Sequence, residues 1–388
     1  MNRDVIIIGA GASGLICAQE AGKRGKAVLV IDHGQKIGAK IRISGGGRCN
    51  FTNLHVSPEH YISQNPHFCR SALSRYTPGD FISLLRKHRI AFHEKEAGQL
   101  FCDATSSEIV IMLRTECEKA GAEFLLNCSV KKISNNGLFS VATDKGIFQA
   151  RSLVIATGGL SYPKLGASDF GLRIAKQFCI SVISPRPGLV PLTLSGKELE
   201  IFSELSGVSI NAEVAVNRAS FRGSVLFTHR GLSGPPILQI SSYWNRGDLL
   251  SIDLLPSLNA YDLLKANRSS RKEIQNLLSL YLPSRFIQAW CSYYLQTKPV
   301  CQFTEKELRS AAEKLNAWQV KPSGTEGYTA AEVTIGGIDT NEVSSKTMEA
   351  KKVPGLYFIG EVLDVTGQLG GYNLHWAWAT GHAAGQHV

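Results

Sequence analysis

The stretch Asp4–His33, DVIIIGAGASGLICAQEAGKRGKAVLVIDH, is the most specific local signal in the sequence. It begins with an apolar run typical of a buried strand and continues into the spacing G-x-G-x-x-G, formed by Gly9, Gly11 and Gly14. In this pattern the first glycine permits a tight turn and the second lets backbone approach a pyrophosphate. The third lets the following helix pack on the strand. The spacing therefore predicts a dinucleotide site at a strand-to-helix turn.

The rest of the stretch completes a β-α-β unit. A helix is predicted to about Arg24, and a second strand, Ala27–Ile31, leads to Asp32. Phosphates would lie at the helix N-terminus, where unpaired N–H groups and the helix dipole favour negative charge. A carboxylate at the end of the second strand can accept hydrogen bonds from ribose hydroxyls. NAD and FAD both fit this unit.

Composition excludes several classes of protein. The chain has 388 residues, of which 44% are hydrophobic and 19% charged, as expected of a globular protein with two or three domains. It lacks the apolar run of about 18 residues that a membrane span requires, and its N-terminus does not resemble a signal peptide. The nine cysteines are scattered without a C-x-x-C pair, which argues against a zinc site, a dithiol redox centre and a secreted disulfide framework. We expect a cytoplasmic protein with reduced thiols and no metal.

The formal charge of +10 points weakly to a polyanionic partner. Between Pro256 and Pro299 there are six Lys or Arg residues against two acidic residues. Such a segment could follow a phosphate backbone or could be an ordinary solvated helix face.

Later elements favour FAD over NAD as the resident cofactor. RSLVIATGG (Arg151–Gly159) and VPGLYFIGEVLDVTG (Val353–Gly367) read as buried strands that end in Ala-Thr-Gly-Gly and Gly-Glu, and GGYNLHWAWATGHAAG (Gly370–Gly385) reads as a glycine turn that opens a helix. This order is typical of two-dinucleotide-type flavoproteins. The acid after the late strand would approach the ribityl and phosphate groups, and the helix N-terminus would face the flavin pyrimidine ring.

The middle of the chain differs in composition. Short alternating runs over 190–257 predict a β-rich module, and residues 258–327 predict a helical subdomain whose pattern extends to about Gln319. Thr304 and Glu307 form a predicted capping box. We therefore expect an α/β fold in which a Rossmann-like FAD domain, 1–189 and 328–388, is interrupted by two inserts.

A glycine triplet follows the first unit in KIRISGGGRCNFTN, Lys40–Asn53. Three successive glycines are costly in conformational entropy and usually mark a place where backbone comes close to something. We expect Gly45–Gly47 to lie against the flavin. Arg42 and Arg48 would neutralise phosphates or hold an anionic substrate.

Taken in order, the motifs resemble the BaiN/RdsA-type family of bacterial FAD-dependent oxidoreductases. The resemblance rests on GAGASGL, ISGGGRCNFTN, ATGGLSYPKLG, LFTHRGLSGPPILQIS, VTIGGI and GLYFIGEVLDVTGQLGGYNLHWAWATG, and it covers nearly the whole chain. One departure is GASDFG (Gly166–Gly171), which is a residue shorter than the usual second glycine-rich turn and leaves the role of Asp169 open. The resemblance implies reduction of carbon–carbon double bonds, either of uridine in large-subunit ribosomal RNA or of steroid-like molecules.

The motifs and the resemblance together imply a set of cofactor-binding residues: Gly9, Gly11, Ala12, Ser13, Gly14, Asp32, His33, Lys40, Ser44, Gly45, Gly46, Gly47, Arg48, Cys49, Val130, Ala156, Thr157, Gly158, Gly159, Gly360, Glu361, Asp364, Gly370, Gly371, Tyr372, Asn373 and Leu374.

The candidate catalytic residues are Cys49, His229 and Arg230. Cys49 or His229 could protonate the carbon opposite a hydride, and Arg230 could orient an anion or carbonyl. Each has a simpler alternative, since Cys49 could pack beneath the flavin and a lone histidine is more often structural. His375 is a candidate to support the pyrimidine edge of the flavin.

The electron donor and the substrate stay open at this point. The sequence has no second G-x-G-x-x-G, so NADH or NADPH would bind only transiently. Three hypotheses remain: reduction of ribosomal RNA uridine, reduction of a small enone, or a flavin-binding redox sensor without turnover.

Overall fold

A computed structural model describes residues 2–388, which form two compact units. The first, here called the dinucleotide unit, comprises the chain up to Arg186 together with Val333–Val388. The second, the inserted unit, comprises Pro187–Glu332.

The strands in chain order are β1 (Asn2–Ile8), β2 (Val28–Ile31), β3 (Asn50–Asn53), β4 (Tyr61–Ile62), β5 (Phe92–Glu94), β6 (Gln99–Cys102), β7 (Glu123–Leu125), β8 (Val130–Asn135), β9 (Phe139–Thr143), β10 (Gly146–Ile155), β11 (Val182–Gly188), β12 (Leu192–Thr193), β13 (Ser209–Val216), β14 (Ala219–Thr228), β15 (Gly231–Ser233), β16 (Leu250–Asp253), β17 (Trp318–Val320), β18 (Gly324–Thr325), β19 (Val333–Ile338), β20 (Leu356–Phe358) and β21 (Thr366–Gly367). The α-helices are α1 (Ala12–Lys23), α2 (Ala39–Ile43), α3 (Arg70–Arg75), α4 (Pro78–Lys87), α5 (Ser106–Lys119), α6 (Phe170–Gln177), α7 (Gly196–Ser203), α8 (Pro235–Ser241), α9 (Ala260–Ala266), α10 (Ile274–Leu278), α11 (Ser284–Tyr294), α12 (Glu305–Asn316) and α13 (Tyr372–Gly385).

A parallel sheet organises the dinucleotide unit. Its strands β7, β2, β1, β10 and β20 lie in that order and are all parallel. The long strand β10 pairs with β9 through its first half and with β20 through its last residues, so the antiparallel strands β9 and β8 extend the same sheet. The first strands are buried because each carries a continuous apolar run, as a sheet covered on both faces requires. The predicted Rossmann-like α/β fold is confirmed.

The helices α1 and α13 pack closely on each other. Gly381 lies where α13 crosses α1, and a Cβ at this position would overlap the backbone oxygen of Ser13. The first turn of α1 is thereby held between β1 and the terminal helix, which positions the glycine turn of the candidate site.

A three-stranded antiparallel sheet, β3-β6-β5, follows the glycine triplet. Its buried face is anchored by Phe51, which stacks on Phe81 at 5.6 Å and meets Phe92 edge-on at 5.7 Å between ring centroids. The other face carries Phe101 and His93 as cross-strand neighbours.

The inserted unit is built on a seven-stranded antiparallel sheet with the order β17-β16-β13-β14-β15-β12-β18. Strands and helices from both sides of residue 257 pack around one hydrophobic core. The predicted boundary at 257/258 therefore marks a change of secondary structure inside a single packing unit.

The helical pattern of the insert ends earlier than predicted. The capping box at Thr304 and Glu307 is confirmed, but α12 ends at Asn316 and the next residues form the strand β17. Trp318 pairs with Ile252 and is buried in the core, so tertiary packing prevails over local helix propensity.

Within the described residues, no helix has the length and hydropathy of a membrane span, and no three metal-ligating side chains cluster.

Candidate active site

The glycine turn after β1 combines close packing at two glycines with open space at a third. Gly9 has φ of +114°, and a Cβ there would overlap the oxygen of Ala156. A Cβ on Gly14 would overlap the oxygen of Gly9, whereas a Cβ on Gly11 would meet nothing within 4 Å. Glycine at positions 9 and 14 thus permits close packing of strand and helix, and Gly11 leaves the backbone open to a ligand at the start of α1.

The Asp32 carboxylate ties the loop after β2 to this turn. One oxygen accepts a hydrogen bond from the Ala10 N–H at 2.6 Å, and the other accepts from the Gly34 N–H at 2.7 Å. Lone pairs remain for ribose hydroxyls, since a carboxylate has about four acceptor sites. The side chain of His33 lies against Gly166. The Cys128 N–H donates to the Asp32 backbone oxygen at 3.0 Å, and Val130, two residues later, begins β8.

The loop after β10 meets the late Gly-Glu segment in a hydrogen-bonded network. Lys40 Nζ lies 2.6 Å from Glu361 Oε2 and 2.7 Å from Ser161 Oγ. The Thr334 N–H donates to the other Glu361 oxygen at 2.9 Å. A Cβ on Gly159 would lie 2.8 Å from that oxygen, so Ala156–Gly159 passes directly beside the carboxylate.

The same network contains residues that sequence reasoning missed. Ser161 and Thr334 were not predicted, although Ser161 lies in the quoted motif ATGGLSYPKLG.

Tyr162 has φ of +62°, a strained conformation for a bulky residue, and the Lys40 ammonium lies 5.6 Å from its ring centroid. Thr157 Oγ1 is buried and has no hydrogen-bond partner among the described residues.

The glycine triplet has the geometry of a ligand-facing loop. Gly45, Gly46 and Gly47 have φ of 57°, 66° and 89°, which glycine adopts most easily. A Cβ on Gly46 or Gly47 would meet nothing within 4 Å, whereas Gly45 lies against the ring of Phe101. The main chain at 46 and 47 is therefore accessible to a flat ligand.

The two arginines of this loop differ in their surroundings. Arg42 donates to the Ile37 oxygen at 3.3 Å and to Ser107 Oγ at 3.2 Å, so it holds the loop to α5. Arg48 is exposed, and its backbone oxygen accepts from the Cys102 N–H at 2.9 Å. Arg48 is thus the exposed cation of the loop.

Cys49 is fully buried and has φ of +49°. Burial raises the pKa of its thiol to about 12, although a hydrogen bond with Ser44 acts in the opposite direction. A thiol with this pKa and no exposed surface favours the packing alternative over a role as acid.

The terminal helix begins in a glycine turn at Gly370 and Gly371, with φ of 114° and 93°. The first N–H groups of α13, at Tyr372–Leu374, have no partners inside the helix and can face an anion. The Asn373 side chain exchanges two hydrogen bonds with the backbone of Gly367, both at 2.8 Å, and thereby fixes the turn.

His375 is a satisfied buried histidine. Its Nδ1 lies 2.8 Å from Thr52 Oγ1, and its Nε2 lies 3.0 Å from the Tyr76 oxygen, which can only accept. Burial lowers the pKa of the imidazole to about 4, so the ring is neutral with its proton on Nε2. Both nitrogens are occupied inside the protein, so His375 could support the pyrimidine edge only without a hydrogen bond from its ring.

Asp364 has a structural partner as well. Its carboxylate accepts from the Gln64 N–H at 2.9 Å, and burial raises its pKa. Glu361 is therefore the acid of the late strand that faces the Lys40 loop. Asp169, in the departing segment Gly166–Gly171, directly precedes α6 and pairs with Arg173 at 2.9 Å on the surface.

The inserted unit carries the other two candidate catalytic residues. His229 and Arg230 are exposed directly after β14, and Arg230 lies 3.5 Å from Glu326. Gly231–Ser233 forms β15, and α8 begins after Gly234.

Comparison with known proteins extends these observations. A family model described as the HI0933-like protein Rossmann domain matches residues 3–387. The chain is 50% identical over 388 residues to the ribosomal RNA dihydrouridine synthase of Escherichia coli, covering 99% of this chain and 97% of that protein. It is 29% identical over 409 residues to the 3-dehydro-bile acid delta(4,6)-reductase of Clostridium scindens, covering 100% of this chain and 98% of that protein.

Among solved structures, the 3-ketosteroid-delta4-(5alpha)-dehydrogenase of Rhodococcus jostii matches with a TM-score of 0.50 and 14% identity, over 99% of this chain and 96% of that one. This likeness concerns the fold alone. The family match spans almost the entire chain, and the glycine turn, Asp32 and the Gly-Glu segment occupy the positions that a Rossmann site requires. The chain belongs to the family of the HI0933-like protein Rossmann domain.

Proposed function

We propose that the protein is an FAD-dependent oxidoreductase that reduces uridine to dihydrouridine in large-subunit ribosomal RNA. The observation that carries the substrate is the 50% identity, over essentially both whole chains, to a ribosomal RNA dihydrouridine synthase. Ribosomal RNA as partner also implies that the protein works in the cytoplasm.

FAD would be held by residues around two glycine-lined segments, Gly9–Gly14 and Gly45–Gly47. The turn Gly9–Gly14 and the start of α1 would take the pyrophosphate, and Asp32 would bind the adenosine ribose. Lys40 and Glu361 would contact the ribityl and phosphate groups, and Gly46 and Gly47 would lie against the isoalloxazine. When bound and reduced, FAD would supply a hydride.

NADH or NADPH would reduce the flavin in a transient complex. Support comes from the sequence, which has a single G-x-G-x-x-G fingerprint. Anaerobic stopped-flow mixing should therefore show bleaching of the flavin, with a rate that rises almost linearly with nicotinamide concentration.

The inserted unit supplies cations for an RNA backbone. Arg271 and Lys272 are exposed, whereas Arg268 lies 3.6 Å from Glu305 and Lys298 lies 2.7 Å from Glu307. Two of the six cations are thus paired with carboxylates, whereas Arg271 and Lys272 are exposed and have no ion pair in the described part of the chain.

A second candidate function is reduction of a small conjugated ketone. The 29% identity to a bile acid reductase over both whole chains supports it. Purified protein loaded with FAD and given NADPH tests both functions at once. We expect dihydrouridine in ribosomal RNA that lacks it, and little consumption of a 3-keto-4-ene steroid. The reverse outcome would replace the RNA substrate by the enone.

A further inference from the structure

The hairpin formed by β5 and β6 borders the glycine triplet. The Cys102 N–H donates to the Arg48 oxygen at 2.9 Å, and a Cβ on Gly45 would lie 2.9 Å from Phe101 Cε1. The ring of Phe101 therefore covers one side of the loop, next to the accessible main chain of Gly46 and Gly47.

The same hairpin also reaches the start of the terminal helix. A Cβ on Gly370 would lie 3.1 Å from Gln99 Cδ, and Asn53 Nδ2 donates to the Gly370 oxygen at 3.0 Å. The sheet β3-β6-β5 thus joins the two segments that are proposed to bracket the isoalloxazine.

A histidine–carboxylate pair lies on the open face of this hairpin. The His93 ring stacks beside Phe101, with centroids 6.2 Å apart and an interplanar angle of 18°. Its Nδ1 lies 2.6 Å from Asp103 Oδ1, and the two side chains are 43% and 48% exposed. The Asp103 N–H donates to the Ala91 oxygen at 3.0 Å, which anchors the carboxylate to the start of the hairpin.

The pairing fixes how the imidazole can act. An ionised carboxylate only accepts, so Nδ1 carries a proton and Nε2 is directed away from Asp103. Asp103 therefore orients the ring and leaves Nε2 as the nitrogen that can transfer a proton to a substrate, the arrangement that a general acid needs.

The other candidate acids of the dinucleotide unit are less suitable. Cys49 is buried, and both nitrogens of His375 are engaged with Thr52 and Tyr76. His60 stacks on Tyr372 at 4.6 Å, with its Nδ1 2.9 Å from Ser57 Oγ.

We propose that His93, oriented by Asp103, is the catalytic acid that protonates C5 of the uracil ring. This assignment rests on the proposed function. Addition of a hydride to C6 breaks the C5–C6 π bond and leaves its electron pair on C5 and O4. The proton on His93 Nε2 forms the new C5–H bond, and the neutral imidazole regains a proton from water. The sum of hydride and proton converts uracil to dihydrouracil. Phe101 forms the wall of the substrate site next to the acid.

The experiment compares wild-type protein with His93→Asn and with His67→Asn, an exposed histidine outside the hairpin. Three quantities are measured: FAD content, binding of a fluorescein-labelled ribosomal RNA fragment by anisotropy, and dihydrouridine formed in a single turnover of pre-reduced protein. We expect His93→Asn to keep FAD and RNA binding within about twofold and to form dihydrouridine at least about 100-fold more slowly, the usual contribution of a general acid. His67→Asn should match wild type in all three.

Asp103 is a positioning residue and has its own test. Asp103→Asn should lower kcat for RNA without raising KM, and Asp103→Glu should restore much of the rate.

The assignment fails if His93→Asn forms dihydrouridine at the wild-type rate, or if Cys49→Ser or His229→Asn abolishes the reaction while His93→Asn does not. A wild-type protein that forms no dihydrouridine on the fragment, although its flavin is reduced, would instead overturn the proposed function.

Discussion

At the residue scale, Asp32 shows how a single carboxylate can organise the binding site. It holds the Ala10 and Gly34 N–H groups and leaves acceptor capacity for a ribose. We expect Asp32→Ala to weaken FAD binding by about 1.5–3 kcal/mol, the typical worth of hydrogen bonds to a charged group. Titration of apoprotein with FAD measures this. Asp169→Ala, which removes a surface ion pair, is the control and should leave FAD affinity unchanged. Equal affinity of Asp32→Ala and wild type would rule out the ribose contact.

Glu116 predicts how stability depends on pH. Burial alone would raise the pKa of this carboxyl group, but hydrogen bonds from Lys87 and His88 and the charge of Lys87 lower it to about 2. A pKa below the unfolded value stabilises the protein above about pH 4.5, and the gain is lost as pH falls toward 2. Glu116→Gln should cost about 1–3 kcal/mol of unfolding free energy near pH 7 and roughly half as much near pH 3. Urea unfolding of wild type and Glu116→Gln at the two pH values measures this difference. A loss of unfolding free energy that is the same at both pH values would contradict the lowered pKa of Glu116.

Sequence reasoning missed contacts between residues that lie far apart along the chain. Gly9, Gly14 and Asp32 act within one β-α-β unit, so local spacing identifies them. The contacts Lys40–Glu361 and Thr52–His375 join residues that are 321 and 323 positions apart. Only the folded sheet reveals that Lys40 faces Glu361 and that His375 is already satisfied.

At the scale of elements, the crossing of α1 and α13 depends on a glycine. A Cβ on Gly381 would overlap the Ser13 oxygen, whereas a Cβ on Gly79 in α4 would meet Thr77 Oγ1 only at 3.5 Å. We expect Gly381→Ala to destabilise the protein by about 1–3 kcal/mol through overpacking. Gly79→Ala should be neutral or stabilise it by up to about 1 kcal/mol. Denaturant unfolding measures the free energy of unfolding of both variants. Equal values for Gly381→Ala and Gly79→Ala would mean that α1 and α13 move apart without a free-energy cost.

Strands and helices were predicted correctly where the hydrophobic periodicity and the local residue chemistry indicated the same element. The strands around the glycine turn are buried apolar runs, and the capping box of α12 is local. The prediction failed at Trp318–Val320, because the pairing of Trp318 with Ile252 is a contact that helical periodicity cannot show.

At the scale of the whole molecule, the net charge of +10 matters only where cations lack protein partners. Arg268 is close to Glu305, which Arg309 also contacts, whereas Arg271 is exposed and has no ion-pair partner among the described residues. Arg271→Glu should weaken RNA binding and reduce the slope of log affinity against log salt by about one. Lys131→Glu on the dinucleotide unit is the matched control. Anisotropy titrations at several salt concentrations measure RNA binding by both variants. Identical salt slopes for Arg271→Glu and Lys131→Glu would show that Arg271 of the inserted unit does not contact the RNA.

The proposed reaction is the reduction of uridine in ribosomal RNA by this flavoprotein. The most direct measurement is mass-spectrometric mapping of dihydrouridine in large-subunit ribosomal RNA from cells that lack the protein, before and after treatment of that RNA with purified protein, FAD and NADPH. We predict that a dihydrouridine is missing from the untreated RNA and returns at the same position after treatment, with the mass gain of two hydrogen atoms. An identical dihydrouridine map in the presence and absence of the protein would exclude uridine of large-subunit ribosomal RNA as the substrate.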